Sequence, residues 1–556
     1  MMESALLKNR WLPMGAVALS LIIVCVLQFW RPYFFLTDDS FSLAFPILVE
    51  SGHALKDGGS ITVSRFIFGG NYSLANDSMF TPNRHPLAML VSLLAGTRFE
   101  NGMVDVLCIF NLCLASAGMM YFLQLARKAG LSGAGNGTLF FLALSYTWSG
   151  YTLLLGSSGF WYLFNVAALP WIFAGLLIPS MSWGICVMVA ATFHSLVGGY
   201  PSCSLYSFIL AGGAALFLVK IKGAWQPLLR TAVAFALALL IALPWLLPAF
   251  EALSDSTRAG AIDPAIASER AMPFPVLMGS FFLSSIGMVF GSFDLFGVKA
   301  HAYGLASCAG AWLVLVAVIP RERNRIWDIF LIVASILLAL LIGRPPWLAQ
   351  ILFHVPLVGG FRWPYKEVFL FLFILHLWAA RGTLLESKWV PIMGIIGTIF
   401  FLCPLVTFGP PSLSAPSHSR DLVLSGKAAD FWANAKDTIN PSTLIVPVMA
   451  DEFLYDIPVY LKTPGPLLGS HNFPALFKIP SWSGYSATLS QKLFFREPRA
   501  ANVFGVYSLS DKARLMAIPS LTLIEMRSLQ PLEIVAVESS TGKETKLPAA
   551  KYFSLP

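Results

Sequence analysis

The sequence predicts a polytopic α-helical membrane protein of about eleven transmembrane helices, closed by a C-terminal soluble α+β domain. Three observations carry this. Of 556 residues, 56% are hydrophobic and 12% are charged, whereas soluble domains carry about 25% charged residues. Apolar stretches long enough to cross a bilayer recur along the first 408 positions. From residue 409 the composition turns to Gly, Pro and Ser and then to mixed polar sequence.

A crossing needs about 20 apolar residues. Spans are therefore expected at 11–31, 103–126, 134–153, 161–180, 182–198, 202–219, 231–250, 301–319, 327–344, 367–385 and 390–408. The first follows Lys8 and Arg10, ends in Phe-Trp-Arg-Pro and has no small-residue cleavage site after it. It reads as a retained helix rather than a cleaved signal. Lys8/Arg10, Arg127/Lys128, Lys220/Lys222/Arg230, Arg321/Arg323/Arg325 and Arg381/Lys388 then all fall on one side. By the positive-inside rule that side is the cytoplasm, which places the N-terminus inside and the C-terminal domain outside. Pro244 and Pro248 predict a kinked end to the seventh span.

Residues 85–97 and 273–288 are apolar but too short to span, and read as juxtamembrane helices on the exterior surface. They lie within two long exterior loops, 32–102 and 251–300; a third, 345–366, is short and rich in Pro and Gly. Residues 409–419 form a linker. The domain beyond it opens with a helix over Gly426–Lys436. Strand-like runs follow at Thr443–Met449, Ile457–Leu461, Val503–Ser508, Leu521–Glu525 and Leu532–Val537.

The net charge of +8 resides mostly in the short loops and does not point to nucleic acid. All seven cysteines lie in or beside apolar segments and none in the tail, which excludes a disulfide framework there. No Walker loop, dinucleotide-binding glycine motif, His-Glu-x-x-His or Gly-x-Ser-x-Gly is present. Any activated donor must come from the membrane or from outside it.

Asp38 and Asp39 follow the first span. A carboxylate at a membrane mouth is costly and marks a candidate site. It can serve as a general base, bind a sugar hydroxyl or ligate a divalent cation, Mg²⁺ or Mn²⁺. A pair of solvated loop acids is the plainer alternative. The third exterior loop reads Gly-Gly-Phe-Arg-Trp-Pro-Tyr-Lys-Glu over 359–367. Arg362 and Lys366 there suit a lipid phosphate, with Trp363 beside them; an interfacial anchor of aromatic and basic residues is the alternative. Arg258, in Ser-Thr-Arg of the second loop, His85 before Pro86, and Tyr200 in Gly-Tyr-Pro-Ser complete the candidates.

In order along the chain, Asp39, Pro46 and Gly52, His85-Pro86-Leu87, Arg127-Lys128 with Gly130-Leu131-Ser132, Gly199-Tyr200-Pro201-Ser202, Leu247-Pro248 with Ser256-Thr257-Arg258, and Phe361-Arg362-Trp363-Pro364 form a pattern. Ser483-Gly484-Tyr485 and Phe504-Gly505-Val506-Tyr507 extend it into the tail. With this pattern the chain resembles the YfhO-like bacterial membrane proteins, relatives of the lipid-dependent glycosyltransferases of GT-C architecture. The resemblance covers most of the membrane region and part of the tail. The chain departs from the family at Tyr200 and Ser202, where a His-Pro-Gln-like turn is usual, and at Ser64-Arg65-Phe66, where Trp-Asn-Pro is expected.

The resemblance implies an inverting transfer of a sugar from a polyprenyl-phosphate-linked donor. The acceptor is a cell-envelope glycan, lipid or protein, and the reaction lies on the exterior face of the bacterial cytoplasmic membrane. Asp39, with Asp38 second, is the expected base or metal-binding carboxylate. Arg362, Lys366 and Arg258 are the expected cations for the departing lipid phosphate, and His85, Tyr200 and Trp363 further pocket residues. These roles require Asp39 and the cations to face one pocket. Two rival readings are a lipid or polysaccharide transporter or flippase, and a non-catalytic membrane scaffold.

Overall fold

A computed structural model describes residues 11–37, 39–61, 63–67, 72–73, 82–254, 263–268, 271–275, 277, 294–295, 298–299, 325–355, 358–361, 363–381, 417–455, 464–470, 472–482 and 506–553. The expected spans 301–319 and 390–408, most of the 273–288 segment and the run Ile457–Leu461 lie outside the described residues. The chain divides into two compact units. One comprises Met1–Phe35, Asp105–Pro244 and Gly260–Pro411; the other Leu36–Val104, Trp245–Ala259 and Ser412–Pro556.

Among the described residues six helices are long and apolar enough to cross a membrane: Trp11–Trp30, Glu100–Lys128, Met181–Gly198, Pro201–Lys222, Gln226–Glu251 and Arg325–Gly343. Trp161–Leu177 is a shorter apolar helix. Each long helix matches an expected span to within a few residues. The chain is a helical membrane protein.

Their burial follows the helical period. Trp11–Trp30 buries Ala16, Ser20, Ile23, Val24 and Leu27, one stripe at spacings of three and four. Its other apolar side chains, such as Ile22 and Phe29, are exposed, as a lipid-facing surface requires. Arg325–Gly343 likewise buries Trp327, Phe330, Leu331, Ala334, Leu338 and Ile342 and exposes Ile329, Ile332, Val333, Ile336 and Leu337.

The span expected at 134–153 is corrected by the structure. It is two helices, Asn136–Thr147 and Gly150–Ser158. The break has a local cause: Ser149 is extended and its hydroxyl accepts from the Thr152 amide at 3.1 Å, capping a new helix. A serine flanked by Trp and Gly in an apolar run satisfies the hydropathy of a span and the chemistry of a cap at once. Trp148 at the break donates from Nε1 to Ser20 Oγ at 3.0 Å, and Ser20 Oγ lies 2.6 Å from Ser116 Oγ.

Two buried groups repair helix backbones. Pro170 lies inside Trp161–Leu177 and has no N–H for the carbonyl of Val166. The buried Tyr146 hydroxyl donates to that carbonyl at 2.9 Å. At the end of the same helix the buried guanidinium of Arg230 donates through Nη1 to the carbonyls of Gly175 and Ile178, at 2.7 and 2.6 Å. A cation there satisfies terminal carbonyls and complements the helix dipole.

In the second unit, Phe45–Lys56 packs on the short helix Pro86–Ser92. A Cβ on Gly52 would collide with the carbonyl oxygen of Ser92, so this approach requires glycine. Val63–Ser64 (β1) pairs antiparallel with Tyr72–Ser73 (β2), and Asp294–Leu295 (β3) with Val298–Lys299 (β4) in the first unit.

The C-terminal region is α+β, as expected. Leu444–Met449 (β5), Tyr507–Ser508 (β6), Leu521–Leu529 (β7), Leu532–Glu538 (β8) and Glu544–Leu547 (β9) form a sheet in the order β6-β5-β7-β8-β9. β5 is parallel to both neighbours; β7, β8 and β9 run antiparallel. Ile445, Met449, Ile524 and Ile534 face a core with Ala428, Phe431, Trp432 and Ala435 of the helix Lys427–Lys436. Val446, Val448, Leu523 and Val535 face a second core with Tyr507 and Leu515. The tail meets the first long loop within its unit: Asn472 donates to Leu43 O at 3.2 Å and Ser481 N to Phe66 O at 2.8 Å.

Tyr146→Phe leaves the Val166 carbonyl buried without its donor. It is expected to lower stability by about 1–2 kcal/mol, read as a lower thermal unfolding midpoint in detergent with the helical circular dichroism of the folded state unchanged.

Candidate functional site

Asp39 sits half-buried at the start of a turn of π-helix, Ser40–Ala44, that leads into Phe45–Lys56. Its backbone is helical and its carboxylate makes no capping bond to that turn. π-turns are uncommon and frequent at functional sites. Two turns further on, Glu50 is buried and accepts from Ser64 Oγ at 2.7 Å and from the Arg65 amide at 2.8 Å. Burial pushes its carboxyl above the usual range, opposed by those two hydrogen bonds. Ser64 and Arg65 thus anchor a carboxylate that sequence reasoning did not single out.

His85 is buried and caps Pro86–Ser92, its Nδ1 accepting from the Leu87 amide at 3.1 Å. An accepting Nδ1 is a neutral imidazole's. Burial pushes the ring down to about 4. This geometry is that of a helix cap. Asp38, Arg258 and Arg362 lie outside the described residues.

Tyr200, Trp363 and Lys366 come together in the other unit. Asn165, buried near the start of Trp161–Leu177, builds the first wall. Its Nδ2 donates to Ser195 Oγ and Ser204 Oγ, both at 2.8 Å, and its Oδ1 accepts from the Tyr200 amide at 2.6 Å. The turn at Gly199 presses so closely on Asn165 that a Cβ there would strike its amide. Tyr200 is thereby fixed beside Tyr162, ring centroids 5.1 Å apart.

The second wall is the turn before the helix Val368–Arg381. Trp363 has φ +62°, a left-handed conformation costly for a bulky residue and doubly disfavoured before Pro364. Such strain persists only where the surroundings hold it and clusters at functional sites. The turn points Lys366 inward, where it is 2% exposed. Its Nζ lies 3.9 Å from the Tyr200 ring centroid, 4.5 Å from that of Trp363 and 5.5 Å from that of Tyr162. Among the described residues the ammonium has ring faces as partners and no carboxylate at ion-pair distance. Ring faces stabilise a desolvated cation by about 2 kcal/mol, yet they leave its N–H donors without lone pairs.

Beside Lys366, buried Glu367 accepts from Ser202 Oγ at 2.6 Å. Its charged neighbours are Arg344 and Lys366. Arg344 is buried at φ +36° and donates from Nη1 to the carbonyls of Ala267 and Phe361 at 2.9 and 2.8 Å. Sequence reasoning missed Tyr162, Asn165, Ser202, Arg344 and Glu367. Arg344 carries a signal, a lone cation between Gly343 and Pro345-Pro346 at the end of a span; Ser202 and Glu367 lie in the quoted Gly-Tyr-Pro-Ser and 359–367 motifs without being singled out there, and Tyr162 and Asn165 carry no signal.

Among the described residues no three His, Cys, Asp or Glu side chains gather in a way that could hold a metal ion. No protein-family model matches the chain, and no curated protein sequence matches it.

His85 sets a pH dependence. The unfolded chain takes up a proton near 6.5 and the folded chain near about 4, so this contribution is complete above 6.5 and is lost as pH falls through that window. Glu50, shifted upward, acts in the opposite sense, so a variant comparison isolates the histidine. In His85→Asn, which keeps a capping side chain, the loss of stability between about pH 7 and about pH 5 is expected to shrink by on the order of 2 kcal/mol, measured by thermal unfolding across that range.

Proposed function

We propose that this chain is a membrane glycosyltransferase of the GT-C type. It moves a sugar from a polyprenyl-phosphate-linked donor to a cell-envelope acceptor on the exterior face of the bacterial cytoplasmic membrane. The observation that carries this reading is the Lys366 ammonium, 2% exposed and walled by Tyr162, Tyr200 and Trp363. A cation held in a water-poor site is what a developing phosphate charge needs. The strained Trp363 turn that holds it there is a second support.

In the proposed reaction an acceptor hydroxyl attacks the anomeric carbon with inversion. Asp39, with Asp38 as the alternative, takes the hydroxyl proton, and the anomeric carbon–phosphate oxygen bond breaks. The polyprenyl phosphate leaves with the bonding pair. Lys366, together with Arg362 and Arg258, stabilises its charge. The acidic pair is also the candidate ligand set for Mg²⁺ or Mn²⁺. The chain crosses the membrane about eleven times, with its N-terminus in the cytoplasm and its C-terminal domain outside. The YfhO-like family is the proposed kinship.

One observation favours a second reading. The interruption at Trp148–Ser149 between Asn136–Thr147 and Gly150–Ser158 is the kind of broken helix that transporters and flippases use. Under that reading, labelled sugar crosses the bilayer still attached to its lipid.

The distinguishing assay follows a radiolabelled polyprenyl-phosphate sugar in proteoliposomes. Wild type is expected to release polyprenyl phosphate and form a labelled acceptor product. Asp39→Asn and Lys366→Met, at normal membrane levels, should each slow transfer about 100-fold or more. Transfer at the wild-type rate by both variants would refute the roles. Flipping of intact donor without product would establish the second reading.

A further inference from the structure

The turn that carries Asp39 is gripped by the C-terminal tail. Ser40–Ala44 is a π-turn: the Phe45 amide donates to Ser40 O, five residues back, where an α-helix would give it to Phe41 O. Pro46 follows and has no N–H for Ser42 O. Three successive carbonyls of the turn receive donors from outside it. The Asn472 amide reaches Ser42 O at 3.4 Å, Asn472 Nδ2 reaches Leu43 O at 3.2 Å, and Asn83 Nδ2 reaches Ala44 O at 3.5 Å. Both asparagines are buried. The ring of Phe473, next to Asn472, lies 5.1 Å from that of Phe41 in the turn, and both rings are buried. All of these residues belong to the second unit.

This grip decides which way Asp39 faces. Downstream, the helix Phe45–Lys56 is fixed by the Glu50 bonds to Ser64 and Arg65 and by the close approach of Gly52 to Ser92. Upstream, the Phe41 amide donates to Thr37 O at 3.0 Å, so Asp39 lies inside the helical run that the π-turn joins to that helix. Closing the π-turn to an α-helix would shift everything before it by one residue, about 100° around the axis and about 1.5 Å along it. A rotation of that size carries a side chain from one face of the helix to another. π-turns are rare in helices, and the donors of Asn472 and Asn83 keep this one open.

We propose that Asn472 is a positioning residue for Asp39: the tail holds the π-turn open and thereby aims the carboxylate. The catalytic role of Asp39 rests on the transferase reading; the grip on the turn rests on the contacts alone. A tail that only adds stability is the simpler alternative, and the two differ in what depends on Asp39. A positioning residue loses its effect once the carboxylate it aims is gone, whereas a stabilising one keeps it. Asn472→Ala and the milder Asn472→Ser both remove the side-chain bond to Leu43 O. The main-chain bond to Ser42 O remains in each and keeps the tail docked.

The experiment uses the full chain and has two arms. Cryo-electron microscopy of Asn472→Ala in lipid nanodiscs, without substrate, is expected to show residues 37–45 in α-helical register with Asp39 turned by about 100°. In proteoliposomes, transfer from a radiolabelled polyprenyl-phosphate sugar should lose about tenfold or more in kcat at an unchanged donor KM, in Asn472→Ala and in Asn472→Ser. Neither substitution should slow Asp39→Asn further. Should Asn472→Ala fail to accumulate in the membrane, Asn472→Ser carries both arms. A π-turn retained with Asp39 unmoved, or an equal further loss on top of Asp39→Asn, would overturn the positioning role. No transfer by wild type, or wild-type transfer by Asp39→Asn, with the turn still rearranged in the Asn472 variants, would overturn the transferase reading or the role of Asp39 alone and leave the grip of the tail standing.

Discussion

A backbone that runs through lipid has no water to bond, so every interruption of a helix must be repaired by the protein itself. This constraint organises the molecule. Pro170 removes a donor and Tyr146 supplies one to the stranded Val166 carbonyl. The helix carrying Pro170 ends on Arg230. The break at Trp148 is capped by Ser149. The turn at Gly199–Tyr200 is held by Asn165, and the segment after Gly343 by Arg344. The last two repairs shape the walls of the candidate site, so the site is a product of how the chain satisfies its backbone at helix ends.

Those repairs also set what the site can do. Lys366 and Glu367 adjoin in sequence and are both 2% exposed, yet the structure treats them differently. The carboxylate receives a hydroxyl from Ser202 and has cationic neighbours; the ammonium receives aromatic faces. Burying two charges is expensive, and a chain selected for stability alone would place apolar side chains here. The left-handed backbone at Trp363 and Arg344 adds cost of the same kind, on the order of 1–3 kcal/mol at each. Charge and strain concentrated at the end of a membrane helix argue for chemistry or binding rather than for anchoring.

The long helices were legible because lipid demands one property, apolar length, which composition reports directly. Trp11–Trp30 and Arg325–Gly343 therefore lie within a few residues of their expected bounds. The break at Ser149 was hidden because a single serine barely alters hydropathy; the cap it forms is a local hydrogen bond. In the tail, Leu444–Met449 and Leu532–Glu538 announce themselves by apolar β-branched runs. Glu544–Leu547 does not, because it is a polar edge strand ordered by pairing with β8. Tyr200, Trp363 and Lys366 could be nominated from short motifs, but their partners Tyr162 and Asn165 come from the helix Trp161–Leu177, and only packing brings them to one place.

The most direct measurement is a cryo-electron microscopy structure of the chain in nanodiscs with polyprenyl phosphate added. Phosphate density is expected within hydrogen-bond reach of Lys366 Nζ, beside the rings of Tyr200 and Trp363. A lipid phosphate bound elsewhere, with Lys366 still enclosed by the same rings, would contradict it.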